Sequence, residues 1–363
     1  MATRNIKLFD PKIGLEEEKA VLNVLKSKSW ASGAGGKYVN QFEKKFKEKI
    51  NSSDCIAVNS GTAALNLALS LVDIKGKDVI LPSLSFVSTA HAVSLNGGNP
   101  VFVDVDQDTL CLDPNMIEQS ITKRTKLILP VHFAGMPCDM NKIIRLCKRK
   151  NLSLIEDAAH ASGASIKEKK IGSHGKYVCF SFHPVKNLAM PTGGMIAIND
   201  RNHKKIRDTL LARRWCGITN RKGPHYDVRD IGWNYYMNEF SAAIGLIQLN
   251  RLNSSNQARK EIAKRYCKEL KAEQTIPYTK NCIYHIFWIL VKNRKSFMKK
   301  MFDFGVETGI HYKPIHNLTY YNKKNNNLPV TDKISEKIVS IPIHPNLSDN
   351  DVSFIIKSIN KII

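Results

Sequence analysis

One lysine of this sequence lies in surroundings that suit imine chemistry. Lys186 follows a predicted strand, apolar residues flank it, and the hydroxyl of Ser181 lies five positions upstream. Apolar surroundings lower the pKa of an amine, and a neutral amine is the form that attacks a carbonyl. The chain has 55 lysine and arginine residues, so exposed surface charge is the alternative interpretation for any one lysine. The paired glycines at 193–194 then precede a further predicted strand.

Residues 60–63, Ser-Gly-Thr-Ala, lie between a predicted strand and a predicted helix. Free N–H groups at a helix start bind phosphate, glycine permits close approach, and the flanking hydroxyls add donors. The absence of a following Gly-Lys-Ser/Thr excludes a Walker loop. A hydroxyl that only caps the helix remains the alternative.

An acidic residue, Asp157, ends a predicted buried strand and is followed by two alanines and His160. A carboxylate at the end of a strand, next to small residues, can approach a cationic ring nitrogen and keep it protonated. The alternative is a helix cap. His160 either donates to a ligand oxygen or is an ordinary polar residue near the surface.

The elements that would position these residues form an alternating pattern from residue 56 onward. Predicted strands cover 56–58, 78–82, 100–105, 127–131, 152–157 and 195–198, with predicted helices at 63–69, 87–95 and 140–150 between them. Continuous apolar strands separated by helices indicate a mostly parallel α/β sheet, which binds ligands at the carboxyl ends of its strands. We therefore expect the candidate residues to meet at one edge of the sheet.

The pattern changes after about residue 200. Helices are predicted at 202–214, 238–251, 256–272 and 349–363, a polar segment at 217–232, a strand at 284–291 and an exposed loop at 323–327. We predict a large domain over 1–250, whose N-terminal segment could pack with the second unit, and a small C-terminal α/β domain over 251–363.

Composition limits the other functional classes. The net charge of +23 invites a nucleic-acid-binding interpretation, but lysines are spread along the chain and no zinc-finger spacing or RNP-type pattern occurs. The eight scattered cysteines contain no Cys-x-x-Cys pair, so we predict neither a metal site nor disulfides, which indicates a cytoplasmic protein. Residues 1–7 have no hydrophobic signal core, and no apolar run is long enough to span a membrane.

With these residues identified, the chain resembles the DegT/DnrJ/EryC1/StrS sugar aminotransferases, which share the aspartate aminotransferase (type I) fold. The resemblance covers nearly the whole length. Its landmarks are SGTAAL at 60–65, LPSLSF at 81–86, EDAAH at 156–160, SFHPVKNL at 181–188, GWNYYMNE at 232–239 and IPIHP at 341–345. The fold that the resemblance implies is a large α/β domain with a mostly parallel central sheet and a smaller C-terminal α/β domain.

The resemblance implies a pyridoxal 5′-phosphate (PLP) enzyme that passes through pyridoxamine 5′-phosphate. Lys186 would carry the Schiff base and shuttle the proton, and Asp157 would pair with the pyridinium nitrogen. The substrate would be a nucleotide-diphosphate keto-sugar and the amino donor L-glutamate. Such a reaction serves lipopolysaccharide or other surface-glycan synthesis, or the synthesis of deoxysugars for glycosylated natural products.

The remaining family roles carry over position by position. Phe86 would stack on the cofactor ring and His160 would lie beside its hydroxyl. The phosphate would be bound by Gly61, Thr62 and Ser181. Asn234 resembles an asparagine that reaches the phosphate in a partner subunit, which implies a homodimer with shared active sites.

The substrate contacts implied by place in the family pattern are Trp30, His183, His311 and Tyr312. The chain departs from that pattern at 189–192, where Ala-Met-Pro-Thr stands in place of an acidic or glycine-rich run, and at 234–236, where Asn-Tyr-Tyr replaces Asn-Tyr-Arg. Some relatives replace the lysine with histidine and become dehydratases. Because Lys186 is kept, transamination is favoured over two alternatives, a PLP-dependent deoxysugar dehydratase and a non-enzymatic regulatory or DNA-binding protein.

Overall fold

The computed structural model describes residues 4–322 and 327–363. The start of the N-terminal segment 1–7 and most of the loop predicted at 323–327 therefore lie outside the described residues. Within the described part, no helix combines the length and the apolar character needed to cross a membrane.

Eleven α-helices lie in the described residues. They are α1 (Leu15–Ser27), α2 (Lys37–Ile50), α3 (Gly61–Leu69), α4 (Ser88–Leu95), α5 (Pro114–Ser120), α6 (Met140–Lys150), α7 (His203–Arg214), α8 (Glu239–Glu269), α9 (Arg294–Asp303), α10 (Pro329–Lys337) and α11 (Asp349–Ile362). Local signals explain many of their ends. The side chain of Asp139, for example, accepts a hydrogen bond from the Lys142 N–H at the start of α6, and three basic residues occupy the last turn.

The described residues also form fourteen β-strands. They are β1 (Asp54–Val58), β2 (Asp78–Pro82), β3 (Asn99–Val103), β4 (Thr125–Ile128), β5 (Ser153–Asp157), β6 (Ser165–Ile166), β7 (Lys169–Lys170), β8 (Tyr177–Ser181), β9 (Gly194–Ile198), β10 (Ile218–Lys222), β11 (His225–Val228), β12 (Gln274–Thr275), β13 (Phe287–Leu290) and β14 (Ile338–Ile341).

Seven strands build the central sheet, in the order β1-β9-β8-β5-β4-β2-β3. Strand β9 runs antiparallel to both of its neighbours, and the other pairs are parallel. The mostly parallel sheet predicted from the sequence is confirmed. Because β1, β2, β5 and β8 run in the same direction, their carboxyl ends lie at one edge of the sheet.

Helices bury both faces of this sheet. Helix α2 places Val39, Phe42, Phe46 and Ile50 on one stripe, at the spacing that a helix needs to bury one face. The ring of Phe46 lies 5.1 Å from that of Phe180 in β8, edge to face. This packing holds β8 firmly behind the loop that carries Lys186.

A second, antiparallel sheet of β12, β13 and β14 lies in the C-terminal part. Helices α9 and α10 pack against it, and α11 packs against α9. The two helices predicted at 238–251 and 256–272 are one continuous helix, α8, because no Gly or Pro interrupts residues 252–255 and both Leu252 and Asn256 are buried. The predicted strand at 284–291 is shorter, and the polar segment at 217–232 contains the hairpin β10–β11. The domain boundary near residue 250 stays a prediction.

Candidate active site

A cavity of about 430 Å³ opens at the carboxyl edge of the central sheet. Most of the residues singled out from the sequence line it. They are Gly61, Thr62, Phe86, Asp157, His160, Ser181, His183, Lys186, His311 and Tyr312. The volume lies within the usual range for small-molecule sites. Parallel strand direction thus brings together residues that are far apart in the sequence.

One end of the cavity is formed by the start of α3. The Ser60 side chain accepts a hydrogen bond from the Ala63 N–H, 3.1 Å away, and this capping leaves the N–H groups of Gly61 and Thr62 without acceptors inside the helix. A Cβ atom on Gly61 would lie 2.7 Å from the Cβ of Ser181, so only glycine lets the helix start approach this serine. Free N–H groups beside a hydroxyl at a helix N-terminus fit a phosphate dianion.

The carboxylate of Asp157 is buried beneath the cavity and held by two donors. Its Oδ2 accepts a hydrogen bond from Thr89 Oγ1 at 2.8 Å, and its Oδ1 accepts one from the Ala159 N–H at 3.1 Å. Burial raises the pKa of this carboxyl group, and the two hydrogen bonds and the charge of Lys186 act in the opposite direction. A fixed, poorly solvated carboxylate of this kind pairs strongly with a cationic ring nitrogen.

Lys186 lies in the loop after β8 and reaches the same cavity. Burial lowers the pKa of its amine to about 8, and the nearby negative charge of Asp157 partly opposes this. A substantial fraction of the amine is therefore neutral slightly above neutral pH. Its Nζ lies 3.3 Å from Nε2 of His285, a residue that the sequence analysis did not single out.

Aromatic groups form the wall opposite the sheet edge. Phe86 is 54% exposed, and its ring centroid lies 6.0 Å from that of Tyr312. Nδ1 of His160 accepts a hydrogen bond from the Ala134 N–H, so the imidazole proton is on Nε2, which lies 3.1 Å from the Tyr312 hydroxyl. Burial, together with the charge of Lys186, holds the pKa of His160 well below its ordinary value, and the ring is neutral. Because Phe86 is 54% exposed, its ring can stack on a planar ligand.

The paired glycines after the lysine loop have a steric role. A Cβ atom on Gly194 would lie 2.3 Å from the backbone oxygen of Ser60, and Gly193 forms a bridge with Ser60. The close contact brings the lysine-bearing loop next to the start of α3. The two glycines therefore allow the loop that carries Lys186 to pack next to the predicted phosphate-binding end of the cavity.

Two of the predicted site residues do not line the cavity. Trp30 is half exposed, and its Nε1 donates a hydrogen bond to the Leu25 oxygen at 3.2 Å. Asn234 is exposed, and its backbone oxygen accepts a hydrogen bond from the side chain of Asn59 at 3.3 Å. Their roles remain predictions.

Sequence reasoning missed Thr89 and His285. Thr89 lies inside a helix that was predicted correctly in outline, and His285 lies inside a predicted strand. Neither role follows from neighbouring residues, because each depends on a contact with a residue 68 or 99 positions away. A histidine in an otherwise apolar run was the one available hint for His285.

Comparison with known proteins agrees with this geometry. The model of the DegT/DnrJ/EryC1/StrS aminotransferase family matches residues 11–360. GDP-perosamine synthase of Escherichia coli O157:H7 is 33% identical over 363 residues, with 98% of each chain covered.

Two solved structures show the same likeness in three dimensions. Helicobacter pylori PseC, an aminotransferase involved in pseudoaminic acid biosynthesis, aligns with a TM-score of 0.93 and 28% identity over 99% of each chain. The PLP form of Streptococcus pneumoniae Spr1654, a protein assigned as a sugar aminotransferase, aligns with a TM-score of 0.92 and 26% identity, covering 99% of this chain and 98% of its own. The predicted fold class and family are confirmed. The chain belongs to the DegT/DnrJ/EryC1/StrS family and is a PLP-dependent aminotransferase.

Proposed function

We propose that this aminotransferase converts a nucleotide-linked keto-sugar into the corresponding amino-sugar, with L-glutamate as the amino donor. The observation that carries the proposal is the convergence of three groups in one cavity. These are the amine of Lys186 with its lowered pKa, the buried carboxylate of Asp157, and the phosphate-suited start of α3 beside Ser181.

The residues present fit PLP in a defined orientation. The N–H groups of Gly61 and Thr62 and the Ser181 hydroxyl would bind its phosphate, and Asp157 would hold its ring nitrogen protonated. Phe86 would cover the ring face, and His160 would lie beside the ring hydroxyl. When bound, the cofactor supplies the electron sink for labilising a proton on the carbon that bears the amine.

Lys186 would hold the cofactor covalently and then act as the base. After its release by an incoming amine, its neutral Nζ would take a proton from the substrate carbon and, as the protonated amine, would later give that proton back. A pKa of about 8 suits this work, because both the neutral and the protonated amine are well populated near neutral pH.

The aromatic and histidine side chains around the mouth support a sugar substrate. Tyr312, His311 and His183 line the cavity beside Lys186 and offer polar groups to sugar hydroxyls. The net charge of +23 favours an anionic carrier such as a nucleotide diphosphate through electrostatic attraction. The similarity of this chain to GDP-perosamine synthase and to PseC supports a role in a surface-glycan or related deoxysugar pathway. We assign the reaction to the cytoplasm, since all eight cysteines are free thiols.

We further propose a homodimer with shared active sites. The segment that includes hairpin β10–β11 and Asn234 exposes Tyr226, Val228 and Ile231. Several exposed apolar side chains within one short segment are typical of an interface. In a dimer, Asn234 would reach the phosphate bound by the other subunit, and Trp30 would lie near the substrate.

The reaction is tested with the full-length chain loaded with PLP. L-Glutamate alone should change the cofactor absorbance and yield 2-oxoglutarate in an amount equal to the enzyme. A panel of GDP-, UDP- and dTDP-linked keto-sugars should then identify a carrier whose amino-sugar product is seen by mass spectrometry. Lys186→Ala should give neither product. Sugar consumed without 2-oxoglutarate would show a dehydratase instead, and no spectral change with any amino donor would overturn the proposal.

Shared sites are tested by co-expressing two inactive variants with different tags. Lys186→Ala and Asn234→Ala each damage every site of their own homodimer. A mixed dimer has one site in which both residues are intact, so it should regain up to half of the wild-type activity. Purified mixed dimers without activity would contradict the sharing of sites.

A further inference from the structure

His285 is the protein side chain in hydrogen-bonding contact with the amine of Lys186. Its Nε2 lies 3.3 Å from Nζ, and its ring is only 2% exposed. The backbone N–H of His285 donates to the Ala134 oxygen at 2.9 Å, which fixes the position of the residue. The ring stacks on that of Phe9, with centroids 5.7 Å apart. The imidazole therefore reaches Lys186 in a defined position.

The charge of His285 follows from its surroundings. The charged or titratable groups that act on it are Lys186, His160, His311 and Arg259, and none of them is acidic. Burial first, and then these neighbours, hold the pKa of His285 well below its ordinary value. The ring is therefore neutral over the pH range in which the enzyme would work.

The direction of the hydrogen bond follows from these two protonation states. Near neutral pH most of Lys186 is an ammonium, because its pKa is about 8, and an ammonium can only donate. Nε2 must then be the acceptor, and the imidazole proton is on Nδ1. That atom is buried and has no hydrogen-bond partner among the residues that the structure describes. A buried N–H group without an acceptor costs free energy. We therefore expect the contact between Nε2 of His285 and Nζ of Lys186 to have a role in function.

We propose that His285 is a positioning residue for Lys186, accepting a hydrogen bond from Nζ at Nε2 and so aiming the amine at the carbonyl carbon of the cofactor. The proposal rests on the proposed function, since it assigns a role in the reaction of the same lysine. Without the acceptor, the amine would lose its fixed direction. It would also lose a partner for its charged form, so that the pKa of Lys186 would fall further.

The test follows covalent capture of PLP rather than turnover. The full-length chain, freed of cofactor, is mixed with PLP from pH 6 to pH 10, quenched with borohydride at set times, and the modified Lys186 peptide is quantified by mass spectrometry. The wild-type rate should rise through a midpoint near pH 8. His285→Phe keeps the ring shape but removes the acceptor. Its midpoint should shift to lower pH. Its plateau rate, at which the reacting amine is neutral, should fall about fivefold, the loss expected for one hydrogen bond between neutral groups.

Two amide variants separate positioning from packing. In His285→Gln the amide oxygen reaches the place of Nε2, so its midpoint and plateau should stay within about twofold of wild type. In His285→Asn the amide stops at the place of Nδ1, so it should behave like His285→Phe and replaces that variant if the phenylalanine does not fold. All variants see the same PLP, so titration of the cofactor itself cancels in the comparison.

The outcomes are distinct. If His285→Phe or the asparagine variant keeps the wild-type midpoint and plateau, or if the glutamine variant is as slow as they are, His285 does not position the amine. If the wild-type Lys186 peptide takes up no PLP, the proposed function fails, and this inference fails with it.

Discussion

The hydrogen bond from Thr89 to Asp157 offers a sharp test of the proposed cofactor site. Thr89 has no exposed surface, and its hydroxyl has a single proton, which is donated to Asp157 Oδ2 at 2.8 Å. Ser85 must therefore donate to Thr89, across 2.9 Å. Thr89→Val removes this donor with little change of shape. The Ala159 N–H and the charges of Lys186 and His132 then still favour the ionised carboxylate, against the effect of burial.

The size of the effect follows from the kind of bond. A hydrogen bond to a charged group contributes about 1.5–3 kcal/mol, and we take the lower end because the Ala159 N–H still donates. About 1.4 kcal/mol corresponds to a factor of ten. Because this bond is already present without PLP, tenfold is an upper bound: PLP should bind Thr89→Val more weakly than the wild type at pH 7, by up to about tenfold.

The pH dependence has a definite sign. Loss of the donor raises the pKa of Asp157 further, and only the ionised carboxylate pairs with the pyridinium nitrogen. The acid limb of PLP affinity should therefore move to higher pH in Thr89→Val. Equilibrium dialysis against PLP over a pH series measures both effects. Thr89→Ser, which keeps the hydroxyl, is the matched control and should stay within about twofold of wild type. Equal affinity in the valine variant and the wild type, or equal weakness in both variants, would refute the role given to the hydrogen bond from Thr89 to Asp157.

Three further predictions concern stability and thiol reactivity. Gly194→Ala should lower the free energy of unfolding by about 3 kcal/mol in urea titrations, because its Cβ would lie 2.3 Å from the Ser60 oxygen. In the control Gly14→Ala the nearest neighbour of the Cβ would be 4.0 Å away, so the free energy of unfolding should fall by less than about 1 kcal/mol. Arg214→Met should lower the free energy of unfolding by about 3 kcal/mol, because Arg214 is 1% exposed and pairs with buried Glu43 at 3.0 Å. The control Arg149→Met breaks only an exposed ion pair, so its free energy of unfolding should fall by less than about 1 kcal/mol. Iodoacetamide at pH 8 should label exposed Cys216 and leave Cys55 unlabelled, because burial raises the pKa of the Cys55 thiol to about 12. If peptide mapping finds Cys55 labelled as fast as Cys216, this prediction is wrong.

Much of the fold and part of the site follow from local signals in the sequence. Strand β2 and helix α6 have the bounds that apolar runs and capping residues predict, since these signals lie within a few residues of the ends they define. Lys186, Asp157 and Gly61 were found in the same way, each at the end of a predicted strand. The rule that ligands collect at carboxyl ends then predicted that they would meet.

Helix α8 and hairpin β10–β11 show where local signals were insufficient. Two separate helices were predicted on either side of 252–255, yet one helix continues through these residues, because Leu252 and Asn256 are buried against the rest of the protein. Tertiary packing overrides weak local preference in such a segment. The hairpin was hidden because β10 shows no alternation of apolar and polar residues and the alternation in β11 covers only four residues, all of them exposed.

The sequence predicted the reaction class through its resemblance to the DegT/DnrJ/EryC1/StrS family. That resemblance assigns roles to a lysine after an apolar strand, a strand-end acid and a phosphate-suited turn, each of which has another explanation when taken alone. Only the tertiary structure decided what surrounds these groups. Thr89 holds the carboxylate of Asp157, and His285 contacts the amine of Lys186, across 68 and 99 positions of the chain. Contacts of this length leave no periodicity or spacing in a single sequence, because they depend on how the strands are ordered and on how the C-terminal segment packs against the central sheet.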